Sequence, residues 1–152
     1  MQRSRHMLCV FTSILFLTMT AWGANPVSPV VVKEISLTNQ TANIATTTLF
    51  TPVEDGLFRI SYYLEAPAEG PSTYATINTQ IFWSDDFNPN ANIYLASLIL
   101  NESSATYSPG IFVLRVKAGT PITFQTTAPT PNCFPTCEYS LFMTVERLSS
   151  PK

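Results

Sequence analysis

Along most of the chain the apolar residues recur at every second position, and no stretch after residue 25 keeps a helical period for three turns. Period two is the pattern of a strand with one face in a core. Phe58, Ile60, Tyr62 and Leu64 alternate with Arg59, Ser61, Tyr63 and Glu65. Ala75, Ile77, Thr79, Ile81 and Trp83 alternate with Tyr74, Thr76, Asn78, Gln80 and Phe82. Ile111, Val113 and Arg115 interleave with Phe112, Leu114 and Val116, and Ile122 and Phe124 with Thr123 and Gln125. Tyr139, Leu141, Met143 and Val145 alternate with Ser140, Phe142, Thr144 and Glu146. Val30–Leu37 and Ile44–Phe50 are weaker strands. Ile93–Leu100 is apolar on both faces and reads either as a buried strand or as two turns of helix. Turn chemistry separates these segments: Pro52 through Gly56, Pro67 through Pro71, Asp85 through Asn92, Ser108-Pro109-Gly110, Ala118 through Pro121, and Pro129 through Cys137. With 12 prolines against 5 glycines a helical bundle is excluded, since proline breaks helix interiors. The pattern predicts an all-β, two-sheet antiparallel sandwich or a barrel.

The first residues have a different logic. Arg3 and Arg5 precede an apolar run from Met7 to Met19, and Ala21-Trp22-Gly23 offers a small-x-small cleavage site. That is the plan of a secretory signal peptide, and the run is short for a membrane span, which needs about 20 apolar residues. The expected division is residues 1–23 as signal peptide, 24–40 as tether and first strand, and 41–149 as the β-sandwich domain, with no membrane anchor after cleavage. The final compartment is then periplasm, cell surface or exterior. Removing residues 1–23 takes away Arg3, Arg5, His6 and Cys9. Six basic and ten acidic residues remain, a net charge of −4, which offers no electrostatic footprint for nucleic acid. Cys133 and Cys137 are the cysteines left, and an even count in an exported chain favours a disulfide. Two thiols with no histidine nearby supply too few ligands for zinc.

Without histidine in the mature chain, Ser-His-Asp, Cys-His and His-based zinc chemistry are excluded. Paired carboxylates could still run a glycosidase, with Glu65, Glu69, Asp85, Asp86 and Glu146 as candidates, although most lie in or beside turns. Asp85, Asp86, Asn88 and Asn90 make an oxygen-rich loop with the ligand type that calcium prefers. Asp and Asn also favour turns by bonding their own backbone, and the spacing is not that of an EF-hand. Trp83, Tyr62, Tyr63, Tyr74, Tyr94 and Phe87 could form a stacking platform for carbohydrate, but alternation places Trp83 with Ile77 and Ile81, toward the core. Two glycosylation sequons start at Asn39 and Asn101.

Several strands carry large apolar groups on both faces, among them Tyr63, Phe82 and Phe142. Sandwich sheets normally wet their outer face, so these residues are candidates for contact with a partner subunit, the alternative being scattered surface aromatics.

Four segments taken in order carry a resemblance: Gly56-Leu-Phe-Arg-Ile-Ser-Tyr-Tyr-Leu64, Ile77-Asn-Thr-Gln-Ile-Phe-Trp-Ser-Asp-Asp86, Val116-Lys-Ala-Gly-Thr-Pro-Ile-Thr-Phe124, and Tyr139-Ser-Leu-Phe-Met-Thr-Val-Glu-Arg-Leu148. Over roughly residues 44–148 the chain resembles the jelly-roll domains of the tumour necrosis factor and complement globular-head superfamily, especially small bacterial and phage members. The resemblance implies a jelly roll that packs as a homotrimer, with a structural or recognition role and no catalysis; the ligand expected outside the cell, protein or carbohydrate, is left unidentified by it. No collagen-like stalk precedes the domain, and the Cys133–Cys137 loop maps to no family site. The expectation is therefore an exported, non-enzymatic trimer without cofactor. Its alternatives are a monomeric carbohydrate-binding module and a carboxylate-based glycosidase.

Overall fold

A computed structural model describes residues 28–67, 75–100, 105–128 and 138–149. It contains eight strands: β1 (Val30–Gln40), β2 (Thr47–Phe50), β3 (Gly56–Ala66), β4 (Ala75–Trp83), β5 (Ala91–Leu100), β6 (Thr106–Val116), β7 (Ile122–Thr127) and β8 (Tyr139–Ser149). No helix occurs among the described residues.

The strands form two four-stranded sheets, A in the order β1-β8-β3-β6 and B in the order β2-β7-β4-β5, with every pairing antiparallel. First pairs with last, second with second-last, third with third-last, and β4 with β5. A long hairpin rolled over on itself gives this nesting, which is the jelly roll. β1, grouped with the tether on sequence grounds, is a full strand of the sandwich, paired along β8 from Val30↔Arg147 to Gln40↔Tyr139.

The inward faces interdigitate into one core. Phe58, Ile60 and Leu64 of β3 and Tyr139, Leu141, Met143 and Val145 of β8 meet Ile77 and Ile81 of β4 and Ile122 and Phe124 of β7, all buried. Tyr139 is fully buried, and its phenol bonds the Thr126 hydroxyl at 2.6 Å and donates to the Ala42 carbonyl at 2.9 Å. Burial pushes its pKa above the ordinary tyrosine value, against the opposing effect of the Thr126 hydrogen bond. The hydroxyl of Thr79 and the indole N–H of Trp83 are buried with no partner among the described residues.

Two expectations about local structure change. The ambiguous segment is β5, and its loss of alternation has a cause. Thr79 pairs with Ala96 but Gln80 pairs with Tyr94, so Leu95 is an extra residue. Such a bulge shifts the phase of everything beyond it. Ala91 is buried on one side of it and Leu98 on the other. The Leu95 carbonyl accepts a hydrogen bond of 2.5 Å from the Tyr62 hydroxyl, which reaches across from sheet A.

Ser108-Pro109-Gly110, expected as a turn, lies inside β6. β6 is an edge strand, which tolerates a proline without an N–H. Gly110 pairs with Tyr62, and a methyl group built on Gly110 would lie 2.3–2.4 Å from the Tyr62 ring and hydroxyl. Glycine is there so that the ring can lie over the backbone.

The expected turn at Ala118–Pro121 is a turn. Gly119 has φ 73°, its N–H donates to the Pro52 carbonyl at 2.8 Å, and the Ala118 N–H donates to Asp55 Oδ1 at 2.7 Å.

Candidate functional site

The outward faces of the two sheets differ in chemistry. On sheet A, the outward residues of β6 are Tyr107, Pro109, Ile111, Val113 and Arg115. Tyr107 and Ile111 are each 68% exposed and Val113 52%. Their register neighbours on β3 are Glu65, Tyr63, Ser61, Arg59 and Leu57. Pro109, Tyr63 and Phe142 form one row across β6, β3 and β8. The Tyr63 ring stacks on Tyr107 (centroids 6.2 Å apart, 18° between planes) and packs against Phe142 at 6.3 Å. Tyr63 and Phe142, two of the expected interface residues, are therefore neighbours. Phe82 is not with them: it lies on β4, on the outer side of sheet B.

Arg59 and Glu146, beside this apolar strip, neutralise each other, while Glu65 lies opposite Tyr107 at its end. Arg59 Nε lies 2.5 Å from Glu146 Oε2, and this contact lowers the Glu146 pKa from the ordinary carboxylate value, the donated hydrogen bond being its main cause. Arg115 pairs with Asp86 at 2.8 Å, and Arg147 with Glu54.

Sheet B presents hydroxyls and amides. The Thr46 hydroxyl donates to Gln125 Oε1 (2.9 Å), Gln125 Nε2 to Gln80 Oε1 (3.4 Å) and Gln80 Nε2 to Asn92 Oδ1 (3.1 Å). Beside this row the Ser97 hydroxyl donates to Asn78 Oδ1 (2.8 Å). Asn78, Tyr94, Leu95 and Ser97 line an open cleft of about 410 Å3, with Tyr94 67% exposed. A second cleft, about 220 Å3, lies between Phe82, Trp83, Pro89, Pro121 and Thr123.

The oxygen-rich loop is organised by its own backbone. Asp85 Oδ1 accepts the N–H groups of Phe87 and Asn88, both at 2.7 Å, and Asn88 Oδ1 accepts the N–H of Asn90 at 3.1 Å. Asp86 is held by Arg115. Among the described residues no three His, Cys, Asp or Glu side chains are grouped as metal ligands.

Of the candidate acids, Asp85 and Asp86 are neighbours on the β4–β5 loop, whereas Glu65 and Glu146 are far apart. Glu65 pairs in register with Ser140, while Glu146 sits opposite Arg59, six residues away along β3. That separation is roughly 20 Å at the rise of a strand, against the roughly 5–9.5 Å between a glycosidase's carboxyl groups.

Of the candidate aromatic platform, Trp83 packs against the core rim and Tyr62 points between the sheets. Tyr63 is on sheet A, Tyr94 on sheet B, and Phe87 on the β4–β5 loop, 89% exposed. Asn39, the first sequon asparagine, is exposed at the end of β1 with φ 52°. Residues 1–27, Glu69, Tyr74, Asn101, Cys133 and Cys137 lie outside the described residues, and with them the expected signal peptide and disulfide.

Reasoning from sequence missed the outward row Tyr107, Ile111, Val113 and the amide row of sheet B. Arg115 was the available signal for the first, since it shares a face with Ile111 and Val113 and so points that face outward. For the second, the signal was the absence of charge from the segments that become β2, β4, β5 and β7.

No known family profile matches the sequence, and no curated protein matches it. Among solved structures it is similar to the globular domain of zebrafish complement 1qA protein, at 10% identity and TM-score 0.49 over 78% of this chain and 98% of that one. It is also similar to a pentameric capsid protein from metagenomic phage sequences, at 15% identity and TM-score 0.45 over 94% and 86% of the two chains. A third likeness is to the CBM22-1 xylan-binding domain of Paenibacillus barcinonensis Xyn10C, at 10% identity and TM-score 0.41 over 78% and 72%.

Proposed function

We propose that this chain is an exported, non-catalytic jelly-roll module that assembles with copies of itself, as a homotrimer, through the outer face of sheet A. One observation carries the reading: the contiguous apolar strip of Tyr107, Pro109, Ile111 and Val113 with Tyr63 and Phe142. Contiguous exposed apolar surface marks interaction sites, and fully burying one Ile or Val side chain is worth about 1.5–3 kcal/mol. A second copy suits the face because the Arg59–Glu146 pair within the strip is internally neutralised, while Glu65 lies at the strip's end beside Tyr107.

The non-catalytic part rests on the absence of histidine beyond His6 and on the wide separation of Glu65 from Glu146. No cofactor enters this reading: the Asp85 and Asn88 side chains already accept backbone N–H groups and Asp86 is paired. A melting temperature unchanged by calcium or by chelator is the check.

Light scattering on a sizing column tests the assembly. A mass of three chains is expected, and a monomer at tens of micromolar would overturn it. Export and the Cys133–Cys137 bond are tested on protein recovered from the secreting cell. The expected results are an N-terminus near Ala24 and no free thiol before reduction.

A further inference from the structure

We propose that the outer face of sheet B binds an uncharged oligosaccharide. The proposal is independent of assembly through sheet A and concerns the ligand that the module takes.

The strands of sheet B contain no Asp, Glu, Lys or Arg. A face without cations has nothing to hold phosphate, carboxylate or nucleic acid, and one without anions has nothing to hold a basic peptide. What it offers is a band of donors and acceptors. Each Asn or Gln amide sets a donor and an acceptor side by side, and each sugar hydroxyl is likewise both.

The row from Thr46 through Gln125 and Gln80 to Asn92 crosses the sheet from the start of β2 to β5. It spans three inter-strand spacings, roughly 14 Å, which suits several sugar units better than one. The hydrogen bonds within the row already orient the amides, so binding sacrifices less side-chain freedom.

Beside the row, Ser97 fixes Asn78 by donating to Oδ1, which leaves the Asn78 Nδ2 protons for other acceptors. Tyr94, on the same cleft, supplies an exposed ring with a polar tip, the side chain best suited to a ligand apolar on its faces and polar at its rim. The cleft of about 410 Å3 is wide open to solvent, which suits a chain lying along the face rather than an enclosed small ligand. A protein partner would favour the apolar strip of sheet A instead.

Affinity electrophoresis of the intact protein tests this, in native gels containing xylan, mixed-linkage β-glucan or galactomannan, with polygalacturonate as the charged comparison. Retardation is expected in at least one neutral gel. Tyr94→Ala and Asn78→Ala should each weaken it about tenfold or more while leaving the melting temperature unchanged. Ile111→Asp, which alters only the other sheet, should keep it, so failure of the assembly reading and failure of this one are told apart. No retardation in any neutral gel, retardation undiminished in Tyr94→Ala, or retardation by polygalacturonate alone would each overturn the proposal.

Discussion

The two sheets share one core and one alternation rule, yet they treat water differently. Every charged residue that lies in a strand is in sheet A: Lys33, Glu34, Arg59, Glu65, Arg115, Glu146 and Arg147. The same sheet also exposes Ile111, Val113, Tyr63 and Tyr107. Sheet B has no charge in its strands and presents a hydrogen-bonded amide row. Net polarity therefore does not tell which face gains more from a cover. Contiguity does: apolar side chains gathered at the β6 edge have much to gain from a cover, whereas amides spread across β7, β4 and β5 are satisfied by one another and by water.

The comparison breaks most completely if Ile111→Asp leaves the assembly intact. A buried carboxylate in a self-interface is costly, so the expected result is a monomer with an unchanged far-UV spectrum by light scattering and circular dichroism. Next in size is Gly110→Ala. The new methyl would collide with Tyr62, and overpacking of this kind costs typically 1–3 kcal/mol, read as a lower denaturation midpoint. Tyr62→Ala together with Gly110→Ala should cost less than the sum of the two single changes, because the collision is gone.

Tyr139→Phe removes the link from β8 to Thr126 and Ala42 and should destabilise by about 1–3 kcal/mol. Because the folded-state pKa of Tyr139 is raised, its contribution is present below the ordinary tyrosine value and is lost as pH rises through the raised one. Wild type should therefore lose stability above about pH 10 more steeply than the phenylalanine variant.

Thr79→Val should work in the opposite direction, adding roughly 1 kcal/mol by removing a buried hydroxyl without a partner. The smallest effect belongs to Glu146. Its lowered pKa means that its contribution is present above the ordinary carboxylate range and fades as pH falls through the lowered value. Glu146→Gln should flatten the acid limb of the stability curve slightly, in urea titrations between about pH 5 and pH 2.

Alternation and turn chemistry determined the all-β class, most strand positions and the inward sets Phe58-Ile60-Leu64 and Leu141-Met143-Val145, because a two-residue period is local and needs no knowledge of the partner strand. Three things waited for the tertiary structure. Leu95 is a bulge only relative to Thr79 and Gln80 of β4, so the broken period of β5 could not be read from β5 itself. Pro109-Gly110 looks like a turn until Tyr62 lies over the glycine and β6 becomes an edge. Tyr63, Phe82 and Phe142 look alike in sequence because alternation assigns a face but not a sheet. The nesting of β3 beside β8, with β4 in the other sheet, joins the first and last and sends Phe82 away. Strand pairings connect residues as far apart as Val30 and Arg147, and non-local hydrogen bonding of that reach leaves no local mark on the chain.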